Sequence, residues 1–189
     1  ALELREKVCE QSKEVLGENH PDTLTAMYNL ANSYGDIGEI QKALELKEKV
    51  YEQSKEVLGE NHPDTLTAMN ALANSYGDIG EIQKALELKE KVCEQSKEVL
   101  GENHPDTLNT MNNLANSYGD IGEIQKALEL REKVYEQRKE ILGKNHPDTL
   151  NTMNNLAVSY DVIGEKRKAL ELWEMLFEQR KQVFGENHP

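Results

Sequence analysis

Residues 61–102 read NHPDTLTAMNALANSYGDIGEIQKALELKEKVCEQSKEVLGE, and this 42-residue stretch recurs along the chain. The tetrapeptide ALEL begins at residues 1, 43, 85, 127 and 169, so the period is constant. A fixed period of this length indicates a repeat architecture, in which each unit buries its apolar face against its neighbours. We predict one array over residues 1–189: a half repeat at 1–18, repeats at 19–60, 61–102, 103–144 and 145–186, and a stub at 187–189.

Each repeat carries two helical patterns. In residues 19–60, apolar side chains recur at three- and four-residue steps from Leu24 to Ile37, and again from Ile40 to Leu58. This spacing places them on one face of a helix. We name the first helix of each repeat the A helix and the second the B helix. The chain then has nine helices, a B helix followed by four A–B pairs, and no strand.

The predicted helix ends follow from proline and glycine. His20-Pro21 starts the first A helix, because proline suits the first helical turn. Gly59 is expected to end the B helix as a left-handed cap. Gly35, near the end of an A helix, lowers helix propensity. For it and its equivalents Gly77 and Gly119 we predict close approach to a neighbouring backbone or a ligand.

The two cysteines, Cys9 and Cys93, occupy the same repeat position two units apart. Tyr51 and Tyr135 stand at that position in other repeats, which indicates a packing role. Cysteines separated by two stacked units are too far apart for a disulfide. Because unpaired cysteines are typical of reducing compartments, the sequence predicts a cytoplasmic protein.

The charge distribution disfavours several partner classes. The net charge is −13, whereas a nucleic-acid partner requires a basic surface, so we predict no nucleic-acid binding. A local basic patch is expected to be solvated; it comprises Arg138, Lys144, Lys166, Arg167 and Lys168. No apolar run approaches the roughly 20 residues that span a bilayer, so no membrane association is predicted.

The repeat resembles the tetratricopeptide repeat in Asn29-Leu30-Ala31, Tyr34, Gly38 and Ala43. Its length and its LG-x-x-HPD junction resemble the kinesin light chain class. The resemblance implies an all-α fold, a right-handed superhelical solenoid of antiparallel helix pairs with the A helices on the concave face, and protein–protein binding. The chain departs from the family pattern at Met27, which replaces a tryptophan, and at the aromatic position of the B helix, where only Trp173 fits and the other repeats have Lys47, Lys89 and Arg131.

The ligand-facing positions of the family fall on polar residues of the A helices. Asparagine offers both a donor and an acceptor to the backbone of an extended peptide, and the aspartates would favour Lys or Arg in that peptide. The alternative is that these residues only solvate an exposed face. The predicted groove residues are Thr25, Tyr28, Asn29, Asn32, Asp36, Thr67, Asn70, Asn74, Asp78, Asn109, Asn112, Asn113, Asn116, Asp120, Asn151, Asn154 and Asn155.

Catalysis, metal binding and cofactors are disfavoured by the repeat itself. Each of the five histidines stands alone in an N-H-P loop, one repeat from the next, so no two can share an ion. Those residues are His20, His62, His104, His146 and His188. The chain also lacks a distinct Ser-His-Asp or Cys-His group, so we predict that it is not an enzyme and has no cofactor.

The sequence therefore predicts a non-catalytic scaffold that binds an extended, basic peptide segment in an Asn/Asp-lined groove. A second hypothesis is homo-oligomerisation through the terminal helices, since the last B helix is the most aromatic segment. Its candidate residues are Trp173, Leu176, Phe177 and Phe184. A third is a consensus-like array with no specific ligand.

Overall fold

The computed structural model describes residues 2–184, which form nine α-helices and no strand. The predicted all-α class and helix count are confirmed in this range. None of these helices is both long and apolar enough to cross a membrane. Residues 185–189, the predicted stub among them, and the Phe184 side chain lie outside the described part. The helices are α1 (Leu2–Leu16), α2 (Pro21–Asp36), α3 (Ile40–Leu58), α4 (Pro63–Asp78), α5 (Ile82–Leu100), α6 (Pro105–Asp120), α7 (Ile124–Leu142), α8 (Pro147–Val162) and α9 (Lys166–Phe184).

The helices fall into two compact units, Ala1–Val99 and Leu100–Pro189. In the first unit α1 packs on α2, α2 on α3, and α3 on α4. In the second unit the same order holds for α6, α7, α8 and α9. Packing between consecutive helices is what a repeat array requires, because each repeat buries its apolar face on its neighbour. The exact repeat boundaries stay a prediction.

Each unit has a core built on fully buried methionines of the A helices. Met27 and Met69 lie in the first unit, and Met111 and Met153 occupy the same repeat position in the second. Methionine is unbranched and polarizable, so it fills the irregular space between helices. Cys9 and Cys93 are also buried, and neither forms a disulfide within the described residues. Their predicted packing role is confirmed.

Histidine caps the start of the A helices. The Nδ1 atom of His62 accepts a hydrogen bond from the backbone N–H of Asp64 at 3.2 Å, and Pro63 occupies the first helical position. This bond satisfies one of the N–H groups that a helix start leaves without a partner. The predicted helix start is confirmed, but the capping role of the imidazole was not predicted. The equivalent caps are His20, His104 and His146.

Gly59 ends α3 with a conformation other than the predicted left-handed cap. Its φ is +95° and its ψ is 158°, whereas the left-handed helical region has ψ near about +47°. The Gly59 N–H still donates to the Lys55 carbonyl at 3.2 Å. The chain leaves the helix in an extended, mirror-image conformation that essentially only glycine adopts.

Close approach to a backbone does not explain the glycines near the ends of the A helices. A Cβ atom added to Gly35 would meet no atom within 4 Å. At Gly77 it would lie 3.9 Å from the Cβ of Ala85, an ordinary contact. At Gly119 it would lie 3.5 Å from Nη2 of Arg131, the end of a flexible side chain. The predicted backbone approach is therefore wrong.

Candidate functional site

In both units the predicted groove residues lie on the accessible side of the A helices. None of them is buried: on α2 they are Thr25, Tyr28, Asn29, Asn32 and Asp36, on α4 Thr67, Asn70, Asn74 and Asp78, on α6 Asn109, Asn112, Asn113, Asn116 and Asp120, and on α8 Asn151, Asn154 and Asn155. Steps of three, four and seven residues keep each set on one helix face. In the first unit the structure brings two helices together, because Tyr28 of α2 and Thr67 of α4 line a common cavity.

In the second unit part of the asparagine set is already engaged. Asn109 Oδ1 accepts a hydrogen bond from Arg138, and Asn116 Oδ1 accepts one from Arg131 at 3.0 Å. Asn112 Oδ1 is shielded from solvent and has no partner within the described residues. In the first unit no hydrogen bond engages the side chains of Asn70 and Asn74 among those residues. The asparagines of the first unit therefore offer more side-chain donors and acceptors to a ligand than those of the second unit.

In both units, cations of the B helices lie beside the predicted groove residues, and sequence reasoning did not assign them there. Lys47 Nζ of α3 donates to Ser75 Oγ of α4 at 2.8 Å. Arg5 of α1 binds Ser33 of α2, and Arg131 of α7 binds Ser159 of α8. These cations occupy the position where the family pattern has an aromatic residue, and the missing aromatics were the signal that could have identified them.

These cations offset the negative charge of the aspartates among the predicted groove residues. Burial lowers the pKa of Lys47, and the carboxylates of Asp36 and Asp78 oppose that shift. Burial likewise lowers the pKa of Arg131, with Asp120 opposing it. Each of these aspartates therefore has a half-buried cation within electrostatic range. The negative charge that the sequence predicts along the groove residues is locally compensated.

Arg138 does not belong to a solvated basic patch, contrary to the expectation from sequence. Its side chain is only 6% exposed, and burial lowers the pKa of the guanidinium while Asp148 opposes the shift. The guanidinium donates to Thr152 Oγ1 at 2.7 Å and to Asn109 Oδ1 at 2.5 Å. Arg138 thus joins α7 to both A helices of the second unit, because buried cations require hydrogen-bond partners.

The predicted self-association residues do not share one environment. Leu176 is 5% exposed and packs in the core of the second unit, so the expectation that it is available to a second chain is wrong. Trp173 is half-buried against the same core. Phe177 is 67% exposed, and Leu170, seven residues earlier on the same helix, is 56% exposed. The Phe184 side chain lies outside the described part.

No metal-binding cluster occurs in the described residues. Groups of three or more His, Cys, Asp or Glu side chains that could hold an ion are absent from residues 2–184. The four described histidines are helix caps, and each lies 3.7 to 3.8 Å from a single aspartate oxygen. A lone His–Asp pair supplies too few ligands for zinc.

In both units a tyrosine of an A helix connects three consecutive helices. In the first unit the Tyr76 hydroxyl donates to Glu48 Oε1 of α3 at 2.6 Å, and Lys84 Nζ of α5 lies 5.3 Å from the ring centroid. The hydrogen bond to the Glu48 carboxylate, assisted by burial, raises the pKa of Tyr76 to about 12. Tyr160 repeats the arrangement with Glu132 and Lys168 in the second unit.

This raised pKa predicts a loss of stability at alkaline pH. The pKa of Tyr76 rises from an ordinary value of 10.0 to about 12 on folding. Between these values the unfolded tyrosine loses its proton while the folded one keeps it, so the free energy of unfolding falls as pH rises. The contribution is fully present below pH 10.0. Urea unfolding followed by circular dichroism should show a steeper decline for the wild type than for Tyr76→Phe.

The matched control is Glu48→Gln, which keeps the Tyr76 hydroxyl and removes the carboxylate. The free energy of unfolding of Glu48→Gln should decline with pH less steeply than that of the wild type, because the hydrogen bond to the Glu48 carboxylate is the largest cause of the raised pKa of Tyr76. Lysine deprotonation affects all three proteins alike. Identical slopes in the wild type and both variants would contradict the assignment.

The repeats of this chain match those of a known protein family. The family model described as tetratricopeptide repeat matches residues 1–56, 36–98, 80–130 and 112–182, and so covers most of the chain. The chain belongs to the tetratricopeptide repeat family. No curated protein matches it.

Solved structures of tetratricopeptide proteins agree with this assignment. A Podosopora anserina protein described as a kinesin light chain with nearly identical TPR-like repeats is 32% identical, with a TM-score of 0.83. The match covers 97% of this chain and 87% of that one. The BtubC (BKLC) structure from P. vanneervenii has a TM-score of 0.84 at 22% identity, over 99% of this chain and 74% of that one, and shows the shared fold. The resemblance to the kinesin light chain class is confirmed.

Proposed function

We propose that the chain is a non-catalytic protein-interaction scaffold that binds an extended peptide segment along the A helices of its first unit. The observation that carries the proposal is the state of Asn70 and Asn74, which are accessible on α4 and form no side-chain hydrogen bond within the described residues. Each amide can donate to and accept from a peptide backbone. Cys9 and Cys93 form no disulfide within the described residues, which suits a cytoplasmic setting.

The charge of the first unit favours a basic segment. Residues 1–99 contain eleven basic and twenty acidic residues, a net charge of −9. A potential of one sign attracts an oppositely charged partner and accelerates its association. Lys47 compensates Asp36 and Asp78 only in part, because its single positive charge faces two carboxylates. The second unit has a net charge of −4 and engages two of its asparagines internally.

The test is peptide selection on the whole chain, followed by substitution of Asn70 and Asn74 with alanine. We expect selected peptides to bind the double variant about tenfold more weakly or worse, because each lost hydrogen bond contributes about 1 kcal/mol. Isothermal titration calorimetry measures the affinity, and far-UV circular dichroism checks that helicity is unchanged.

The matched control replaces Gln83 and Glu87, an exposed pair on α5 joined by a 3.0 Å hydrogen bond. Alanine at these two positions should leave peptide affinity unchanged. Equal affinities of the wild type and the Asn70/Asn74 variant would overturn the groove. If no peptide is selected at all, the chain is an array without a peptide ligand.

A second candidate function is self-association through α9. Phe177 and Leu170 expose apolar surface on one face of this helix, and exposed apolar patches often mark interaction sites. If a second copy covers this face by two-fold symmetry, the product is a dimer. If the patch meets a different surface of the next copy, the product grows with concentration.

Light scattering coupled to size exclusion distinguishes these outcomes. We expect the wild type to gain mass with concentration and Phe177→Glu to stay monomeric. Val57→Glu is the control, since Val57 is an exposed apolar residue on the internal helix α3. A monomeric wild type throughout would exclude self-association.

A further inference from the structure

The first unit contains a cavity between its two A helices. Its volume is about 200 Å³, and Thr25 and Tyr28 of α2 and Ser54 of α3 contribute to its lining. Asp64 and Ala68 of α4 close the opposite side. Pockets for drug-sized molecules measure about 300–1,000 Å³. This cavity is smaller, and its size suits a single side chain of a larger ligand.

The second unit fills the equivalent space with its own arginine. Arg138 of α7 stands two repeats, or 84 residues, after Ser54. Its Nη1 donates to Thr152 Oγ1 at 2.7 Å and to the Asp148 carbonyl at 3.3 Å. Its Nη2 donates to Asn109 Oδ1 at 2.5 Å. The guanidinium therefore lies between α6 and α8, with acceptors from both A helices.

The acceptors of Arg138 have counterparts around the open cavity. At the same 84-residue spacing, Asp148 corresponds to Asp64 and Asn109 corresponds to Thr25. Thr25 Oγ1 donates to the Pro21 carbonyl at 3.1 Å, so the lone pairs of its hydroxyl are available to accept. The open cavity lacks only a counterpart of the Thr152 hydroxyl, because Ala68 stands at the equivalent position.

Two further features favour a cation in the cavity. The Asp64 carboxylate is mostly exposed at its edge, and no residue of the described lining is basic. Tyr28 stands where the second unit has Asn112. An aromatic ring attracts a guanidinium placed over its face.

We propose that this cavity binds the side chain of an arginine supplied by the peptide partner, as Arg138 fills the equivalent space of the second unit. The proposal rests on the proposed function for the source of the arginine. The planar guanidinium presents several N–H donors in a fixed fork, which matches acceptors on two helices better than the single ammonium of lysine.

The cavity is tested without a peptide, using N-acetyl-arginine methylamide as the probe. In two-dimensional NMR we expect saturable shifts at Thr25, Tyr28 and Ala68 of the whole chain. The uncharged isostere, N-acetyl-citrulline methylamide, should bind about tenfold more weakly or worse, since hydrogen bonds from a charged donor are stronger. Equal shifts with both probes, or shifts elsewhere only, overturn the proposal.

The equivalent residues of the two units define matched substitutions for a second test. Ser54→Arg combined with Thr25→Asn and Ala68→Thr copies the filled site of the second unit into the first. This variant should fold, since the second unit carries the same residues at these three positions, and it should lose the probe-induced shifts. In the reverse direction, Arg138→Ser opens the second cavity, and new shifts are expected at Asn109 and Thr152. Persistence of the shifts in the filled variant overturns the proposal.

Selected peptides separate this proposal from the function on which it rests. Peptides that require Asn70 and Asn74 but bind the filled variant normally would support the proposed peptide binding and overturn the arginine site. Probe binding in the cavity without any selected peptide would support the arginine site and overturn the peptide groove.

Discussion

Replacing Met69 with alanine is expected to lower the free energy of unfolding by about 2–5 kcal/mol. Met69 is fully buried in the core cluster of the first unit, which also contains Met27, Leu72 and Val50. The loss combines the transfer free energy of the removed atoms with the cost of the cavity that they leave. Urea denaturation followed by circular dichroism measures the change.

Met69→Leu is the control, because a swap that conserves volume costs less than about 1.5 kcal/mol. An alanine variant as stable as the leucine variant would show that α3 and α4 close over the gap. Met153→Ala in the second unit tests whether the equivalent position has the same role there, since Met153 is also fully buried.

Gly59→Ala is expected to destabilise the chain by about 1–3 kcal/mol, whereas Gly35→Ala should stabilise it by up to about 1 kcal/mol. At Gly59 the backbone has a φ of +95° and a ψ of 158°, which a side chain strains. Gly35 is helical, and a Cβ atom there meets nothing within 4 Å. The added methyl group at Gly35 therefore only reduces the entropy of the unfolded chain.

The two alanine variants are compared by urea denaturation of the same chain. Because they add the same atoms and differ in backbone conformation, opposite signs would isolate the effect of φ and ψ. A stabilising Gly59→Ala would contradict the assigned helix end.

The fold could be predicted because its determinants are local. The apolar steps from Leu24 to Ile37 define an A helix, and His20-Pro21 sets where it begins. Gly59 was correctly placed at the end of a B helix, but its ψ depends on the direction in which the chain leaves for the next repeat. Composition alone does not encode that direction.

The site could be predicted only to the level of helix faces. Asn70 and Asn74 lie on the accessible face, as helical spacing requires. Whether an asparagine is free depends on side chains from a B helix, as Arg131 at Asn116 shows. Arg138 was expected in a solvated patch because neighbouring sequence positions are basic, whereas its partners Thr152 and Asn109 lie 14 and 29 residues away.

Arg138 also gives one repeat an identity that the others lack. The bonds from Lys47 to Ser75 and from Arg131 to Ser159 both join residues 28 apart. A helix displaced by one repeat would satisfy such bonds equally well, and wrong pairing of this kind is a characteristic failure of repeat proteins. A helix with alanine at the Ala68 position could not replace Thr152 as an acceptor for Arg138. Arg138 therefore favours α8 as the neighbour of α7 over α2 and α4, which carry Ala26 and Ala68 at that position.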